Sequence, residues 1–138
     1  MTATTRFLCK LFGFYCIIIT IAMLLRKADI VSTIATLLAS PPLVFISAIA
    51  ALGCGLPMVL LHNRWSGGPA TVIITLLGWA GVLKGLVLLF VTPAAANSVY
   101  LPAFEVDAVY YAYAAFALLL GLFLLASAYR GAPPVADP

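Results

Sequence analysis

Hydrophobic residues come in four long runs, and polar residues collect in the gaps between them. The runs cover residues 7–25, 41–61, 70–91 and 107–128. None alternates at period two, whereas barrel strands would need about 9–11 alternating residues. Each run matches the ~20 residues that carry an α-helix across a hydrocarbon core of about 30 Å. The pattern predicts an all-α membrane protein with four transmembrane helices in one domain, residues 1–131, and a disordered Pro/Ala-rich tail over 132–138.

Local signals agree with these boundaries. Lys10 sits one turn inside the first run and can reach back to the headgroups, because helical side chains lean toward the N-terminus. Pro41 and Pro42 open the second run, where a missing N–H does no harm, and Pro57 is expected to kink its last turns. Gly67, Gly68 and Pro69 punctuate the start of the third, and Asp107 is a first-turn acid for the fourth. Arg26 and Lys27 follow the first run directly, with no small-x-small site beside them, so this run is read as a retained span and not a cleaved signal.

Composition removes the soluble alternatives. Of the 138 residues, 65% are hydrophobic and 8% charged, with a mean hydropathy of +1.21. Globular domains run about 45–50% apolar and about 25% charged. A water-soluble enzyme of this size cannot hide so much apolar surface, and a disordered chain does not carry it. The net charge of +3 is scattered among the helix ends with no basic block, so no nucleic-acid partner is expected. Arg6, Lys10, Arg64 and Arg130 fall on one side of the membrane and Arg26 and Lys27 on the other. The excess of positive charge places both termini in the cytoplasm.

The halves of the chain resemble each other. Phe12-Gly13-Phe14 aligns with Leu77-Gly78-Trp79 at an offset of 65, and Ala51 and Gly55 align with Ala117 and Gly121 at an offset of 66. Arg64 then meets Arg130. The expected unit, over 7–67 and again over 72–131, is a two-helix hairpin with a loop of about 15 residues. Two such units would be parallel, related by an axis along the membrane normal. Chance similarity between apolar helices is the alternative.

Small residues recur four apart: Ser47, Ala51 and Gly55; Gly81 and Gly85, with Gly78 near the same face; Ala117 and Gly121. They let membrane helices approach closely, either inside one bundle or between two copies. In the first loop, Asp29 can cap a short helix, and Ile30, Val31, Ile34, Leu37 and Leu38 form an apolar stripe opposite Ser32, Thr33 and Thr36. That helix is expected to lie in the interface or to act as a lid over a site between the spans.

Lys84 is the one charge well inside a span. It lies seven residues before the end of the third run, ~10 Å deep at 1.5 Å per residue. Side chains lean away from the nearer face, so Lys84 is expected to face the bundle and find a partner. The fourth run enters at the same face with Asp107, Tyr110, Tyr111 and Tyr113, and Glu105 lies just outside. Three readings are open for this group: a structural ion pair or hydrogen-bonded cluster, a snorkelling lysine, or a site for substrate, proton or headgroup. The first half has Ile19 at the equivalent place.

His62-Asn63-Arg64-Trp65 reads as an interface anchor or as a turn that binds a partner. His62 is the sole histidine, and Cys9, Cys16 and Cys54 contain no CxxC, so no metal and no cofactor are expected. No catalytic triad, phosphate loop or buried carboxylate pair is present, and the chain is expected not to be an enzyme.

Leu11-Phe12-Gly13, His62-Asn63-Arg64-Trp65, Leu77-Gly78-Trp79 and Lys84-Gly85 together resemble small four-helix bacterial inner-membrane proteins of uncharacterised function. The resemblance implies a multi-pass protein of the bacterial inner membrane and brings no assigned activity. The chain is also similar in size to small multidrug-resistance exporters, but its first span lacks the glutamate those depend on. Two functions compete. One is an accessory or structural subunit of a membrane assembly, partnered by the bilayer and by other membrane subunits or itself. The other is a small oligomeric transporter or channel that uses Lys84 and the polar end of the fourth helix. Lipid or quinone handling is a more distant third.

Overall fold

The structure, a computed structural model, describes residues 2–130; the expected tail lies outside the described residues. The elements in chain order are α1 (Ala3–Leu25), α2 (Lys27–Ala39), α3 (Pro41–Leu61), α4 (Pro69–Phe90), α5 (Pro93–Glu105) and α6 (Asp107–Arg130). The four long helices, α1, α3, α4 and α6, are long and apolar enough to cross a membrane, compatible with an integral membrane protein. The first begins earlier than the hydrophobic run because the Thr2 hydroxyl accepts the Thr5 N–H at 3.2 Å and caps it. Prolines open α3 and α4 where no helical N–H is needed, and α3 continues through Pro57.

Both long loops are helical. The first was expected to be, over much of its length, although Asp29 is not its cap. It sits in the first turn of α2 and binds Arg26 at 3.0 Å. The second, for which the sequence analysis names no element, is α5. Thr92 caps it by accepting the Ala95 N–H, and Pro93 occupies the first turn. Asn97, Ser98 and Pro102 blur any apolar stripe, so this helix owes its presence to its cap and to packing against α2.

The tight pairings are α3 with α4 and α1 with α6. Contacts run in opposite chain directions in the second pair, from Lys10 against Tyr129 to Met23 against Tyr110, so α1 and α6 are antiparallel. Glycines set how close the helices come. A Cβ at Gly55 would stand 2.6 Å from the Val82 nitrogen, and one at Gly121 would stand 3.0 Å from the Gly13 carbonyl oxygen. Gly81 meets Gly55, and Gly85 meets Leu52 and the Ala48 carbonyl. Gly55, Gly81, Gly85 and Gly121 therefore sit at helix crossings within the chain.

Near the chain termini, Cys9, Met58, Ile74 and Leu124 bring all four spans into one core. Toward the opposite end that core divides. Leu38, Val44, Ala48, Leu88 and Ala96 join α2 and α5 to the α3/α4 pair. Met23, Tyr110 and Ala114 form the other branch, with Ile30, Val31 and Phe104 packed on them. The two short helices thus sit where the helix pairs part, and the stripe on α2 packs on protein as well as facing outward.

The burial pattern repeats along the chain. The five buried residues of α1, moved forward by 65 positions, fall on buried residues of α4: Thr5 on Ala70, Cys9 on Ile74, Gly13 on Gly78, Thr20 on Gly85, Met23 on Leu88. Val44, Ala48, Gly55 and Met58 of α3, moved by 66, fall on the buried Tyr110, Ala114, Gly121 and Leu124 of α6. Close contacts follow suit: Gly121 abuts Cys16 and Ile17, and Gly55 abuts Gly81 and Val82. The helix pairing differs from that of the expected hairpin unit. Its two spans are not the tight pair; each packs chiefly on a span from the other half of the chain.

Candidate functional site

Two polar centres lie at the end of the bundle where α2 and α5 sit. The first is built on the start of α6. Tyr110 is fully buried, and its hydroxyl donates to the Met23 carbonyl at 2.9 Å. Asp107 receives the Lys27 ammonium. That ammonium also lies 5.3 Å from the Tyr110 ring centre and 5.2 Å from that of Tyr111. The two rings meet edge to face at 5.6 Å. The hydrogen bond to Asp107 raises the Lys27 pKa, its partial burial opposes this, and the Asp107 charge adds to the rise. Phe104 of α5 packs edge-on to Tyr113 at 5.9 Å. Glu105 stands apart, on the wall of a shallow groove with Lys27 and Ser32. This centre ties the α1–α2 corner to α6.

Lys84 belongs to the second centre, and it is exposed there, not enclosed by the bundle as its depth in the sequence led one to expect. It lines a half-enclosed cavity of about 170 Å³ among α2, α3, α4 and α5. Ser47 and Tyr100 supply the other polar side chains, and Leu37, Leu88 and Phe104 supply apolar wall. No hydrogen bond or ion pair joins Lys84 to Asp107, Glu105 or the tyrosines among the described residues. The group read as one cluster in the sequence is therefore two. Lys27, outside the expected cluster, takes Asp107. The signal for it was present: both residues flank spans on the same membrane side, with opposite charge.

At the other end, the turn between α3 and α4 is pinned from below. Thr75 is fully buried, with its hydroxyl 2.9 Å from the His62 carbonyl and 2.8 Å from that of Arg64, and it accepts the Arg64 N–H at 3.2 Å. His62 is 2% exposed, so it lies beneath the turn and is no part of an outward-facing partner surface. Its Nε2 has no hydrogen-bond partner. Burial pushes its pKa below the ordinary 6.5, and Arg64 adds to this. Asn63, Arg64 and Trp65 are exposed, with the Trp65 indole donating to Asn63 at 2.9 Å. Arg64 lines an open pocket with Thr2, Thr5, Ser66 and Thr71.

Of the packing residues, Ala51, Gly55, Gly81, Gly85 and Gly121 lie at helix crossings, and Ala117 is half-buried on α6. The crossing of α1 and α6 also depends on Gly13, which the sequence showed only as part of the repeat. Cys9 is buried, Cys16 half-buried and Cys54 exposed. Among the described residues no group of three His, Cys, Asp or Glu side chains could hold a metal ion.

Compared with protein-family models, curated proteins and solved structures, the chain has no match.

Proposed function

We propose that this chain is a non-enzymatic membrane protein that serves as an accessory or structural subunit of a membrane assembly. One observation supports this reading above others: polar side chains inside the spans hold helices together. Thr20 donates to the Cys16 carbonyl at 2.8 Å and lies 3.5 Å from that of Ala114, Tyr110 bonds across to Met23, and Thr75 ties down the α3–α4 turn. Large apolar side chains such as Phe14, Ile18, Ile46, Leu83 and Phe116 point outward, available to lipid or to other subunits.

In this proposal the protein resides in the bacterial inner membrane, as the resemblance implies, with both termini cytoplasmic. Its halves are a duplicated unit, a reading supported by the matching burial of α1 with α4 and of α3 with α6. The oligomeric transporter or channel is the second reading. It draws on the unpaired Lys84, but loses the joined site it needed when Asp107 binds Lys27 instead.

The test is gentle extraction of the tagged protein from its native membrane, followed by native mass spectrometry. Foreign subunits in fixed ratio are expected. A protein that travels alone, or only with copies of itself, overturns the subunit role.

A further inference from the structure

Lys84 sits in a place where the fold does not require a cation. The position 65 residues earlier, on the matching helix, is the exposed Ile19, and α1 packs on α6 with no charge there. Lys84 has no hydrogen bond or ion pair among the described residues. It is six residues from the end of α4, ~9 Å along the helix at 1.5 Å per residue. An ionisable group at such depth is costly unless something meets it.

The cavity around it supplies a specific chemistry. Its polar side chains are Lys84, Ser47 and Tyr100, all of them hydrogen-bond donors, and no carboxylate lines it. Donors gathered without an ionised acceptor suit a carboxylate or a phosphate oxygen. The remaining wall is apolar, from Leu37, Leu88 and Phe104. At about 170 Å³ it compares with engineered cavities of about 150 Å³ that take up benzene, room for a short stretch of hydrocarbon beside the charge. We propose that this cavity binds the acidic group of an anionic amphiphile, a carboxylate or phosphate carried on an acyl chain, with Lys84 as its counter-ion. Ser47 and Tyr100 donate to the same group, and Phe104 and Leu88 flank the first part of the chain. The site does not depend on the proposed subunit role.

The test uses the full chain in a neutral detergent, with native mass spectrometry against three probes: oleate, phosphatidylglycerol and phosphatidylcholine. The wild type is expected to retain oleate or phosphatidylglycerol about tenfold more than Lys84→Met does, the loss that follows from one charge-assisted bond. Phosphatidylcholine should not distinguish the two. Lys84→Arg should keep most of the binding, and Arg26→Gln, at the same end but outside the cavity, should keep all of it. Preference for oleate identifies a free fatty acid as the source, and preference for phosphatidylglycerol a lipid headgroup. Equal anion retention by wild type and Lys84→Met overturns the proposal. So does a loss in Arg26→Gln as large as in Lys84→Met, which would mark general surface charge. If Lys84→Met does not fold, Leu37→Trp fills the cavity with the lysine intact, and undiminished binding by that variant overturns the proposal equally.

Discussion

Gly55 and Gly53 lie two residues apart on α3, and replacing each by alanine should have opposite results. A Cβ at Gly55 would be 2.6 Å from the Val82 nitrogen and 2.9 Å from the Gly81 carbonyl carbon, both backbone atoms of α4. Reaching ordinary contact at 3.4 Å requires the helices to separate by about 0.8 Å at the crossing. A gap of about 0.5–1 Å forfeits a quarter to a half of each dispersion contact it opens. Overpacking of this kind costs about 1–3 kcal/mol. At Gly53 nothing lies within 4 Å, so the added methyl meets open space. Both variants gain the same helix preference of alanine over glycine, about 0.5–1 kcal/mol, which cancels in the comparison. At roughly 3–4 °C per kcal/mol for this chain length, Gly55→Ala should melt about 3–12 °C below Gly53→Ala. The measurement is thermal unfolding in one detergent, followed by far-UV circular dichroism. A Gly55→Ala protein as stable as Gly53→Ala would refute the close crossing of α3 and α4.

Two further outcomes follow from the α3–α4 turn. Thr75→Val keeps the shape of a fully buried side chain but removes the hydroxyl shared by Arg64 and His62, so it should cost about 1–2 kcal/mol and speed proteolysis between α3 and α4; an unchanged melting temperature would count against the pinning. His62 has a folded pKa below 6.5, so the unfolded chain binds more protons in mildly acid solution, and the stability from burying neutral His62 is present above 6.5 and lost as pH falls below it. Melting temperature should therefore drop between about pH 7.5 and about pH 5, around the ordinary histidine value of about 6.5, and this drop should shrink in His62→Leu; an equal drop in both proteins would assign it elsewhere.

Much of the fold is legible along the chain because a bilayer leaves few options. A run of ~20 apolar residues must form a helix to satisfy its own backbone bonds. So all four spans, the proline-led starts of α3 and α4, and the helical nature of the first loop can be read without a structure. Gly55, Gly81, Gly85 and Gly121 also announce themselves, since four-residue spacing puts them on one helix face. The helix α5 was hidden, because its polar residues interrupt the apolar period and its stability comes from α2 beside it.

Partner choice is where sequence stops. Depth along a helix places Lys84 and Asp107 near the same membrane face, but depth is a single coordinate. Their separation also depends on which spans are neighbours and how each is rotated. The pairing of α1 with α6 and of α3 with α4 sets Asp107 beside Lys27 and turns Lys84 toward α2 and α5. His62 is a similar case: a polar residue in a turn reads as exposed, and only the packing of α4 beneath it shows that it is covered. The sequence by itself determines the spans and their small-residue faces, because these arise from local composition and helical period. Tertiary structure decides which polar groups meet, because such contacts join residues far apart in the chain, 87 positions for Tyr110 and Met23 and 94 for Thr20 and Ala114, and depend on every helix crossing between them.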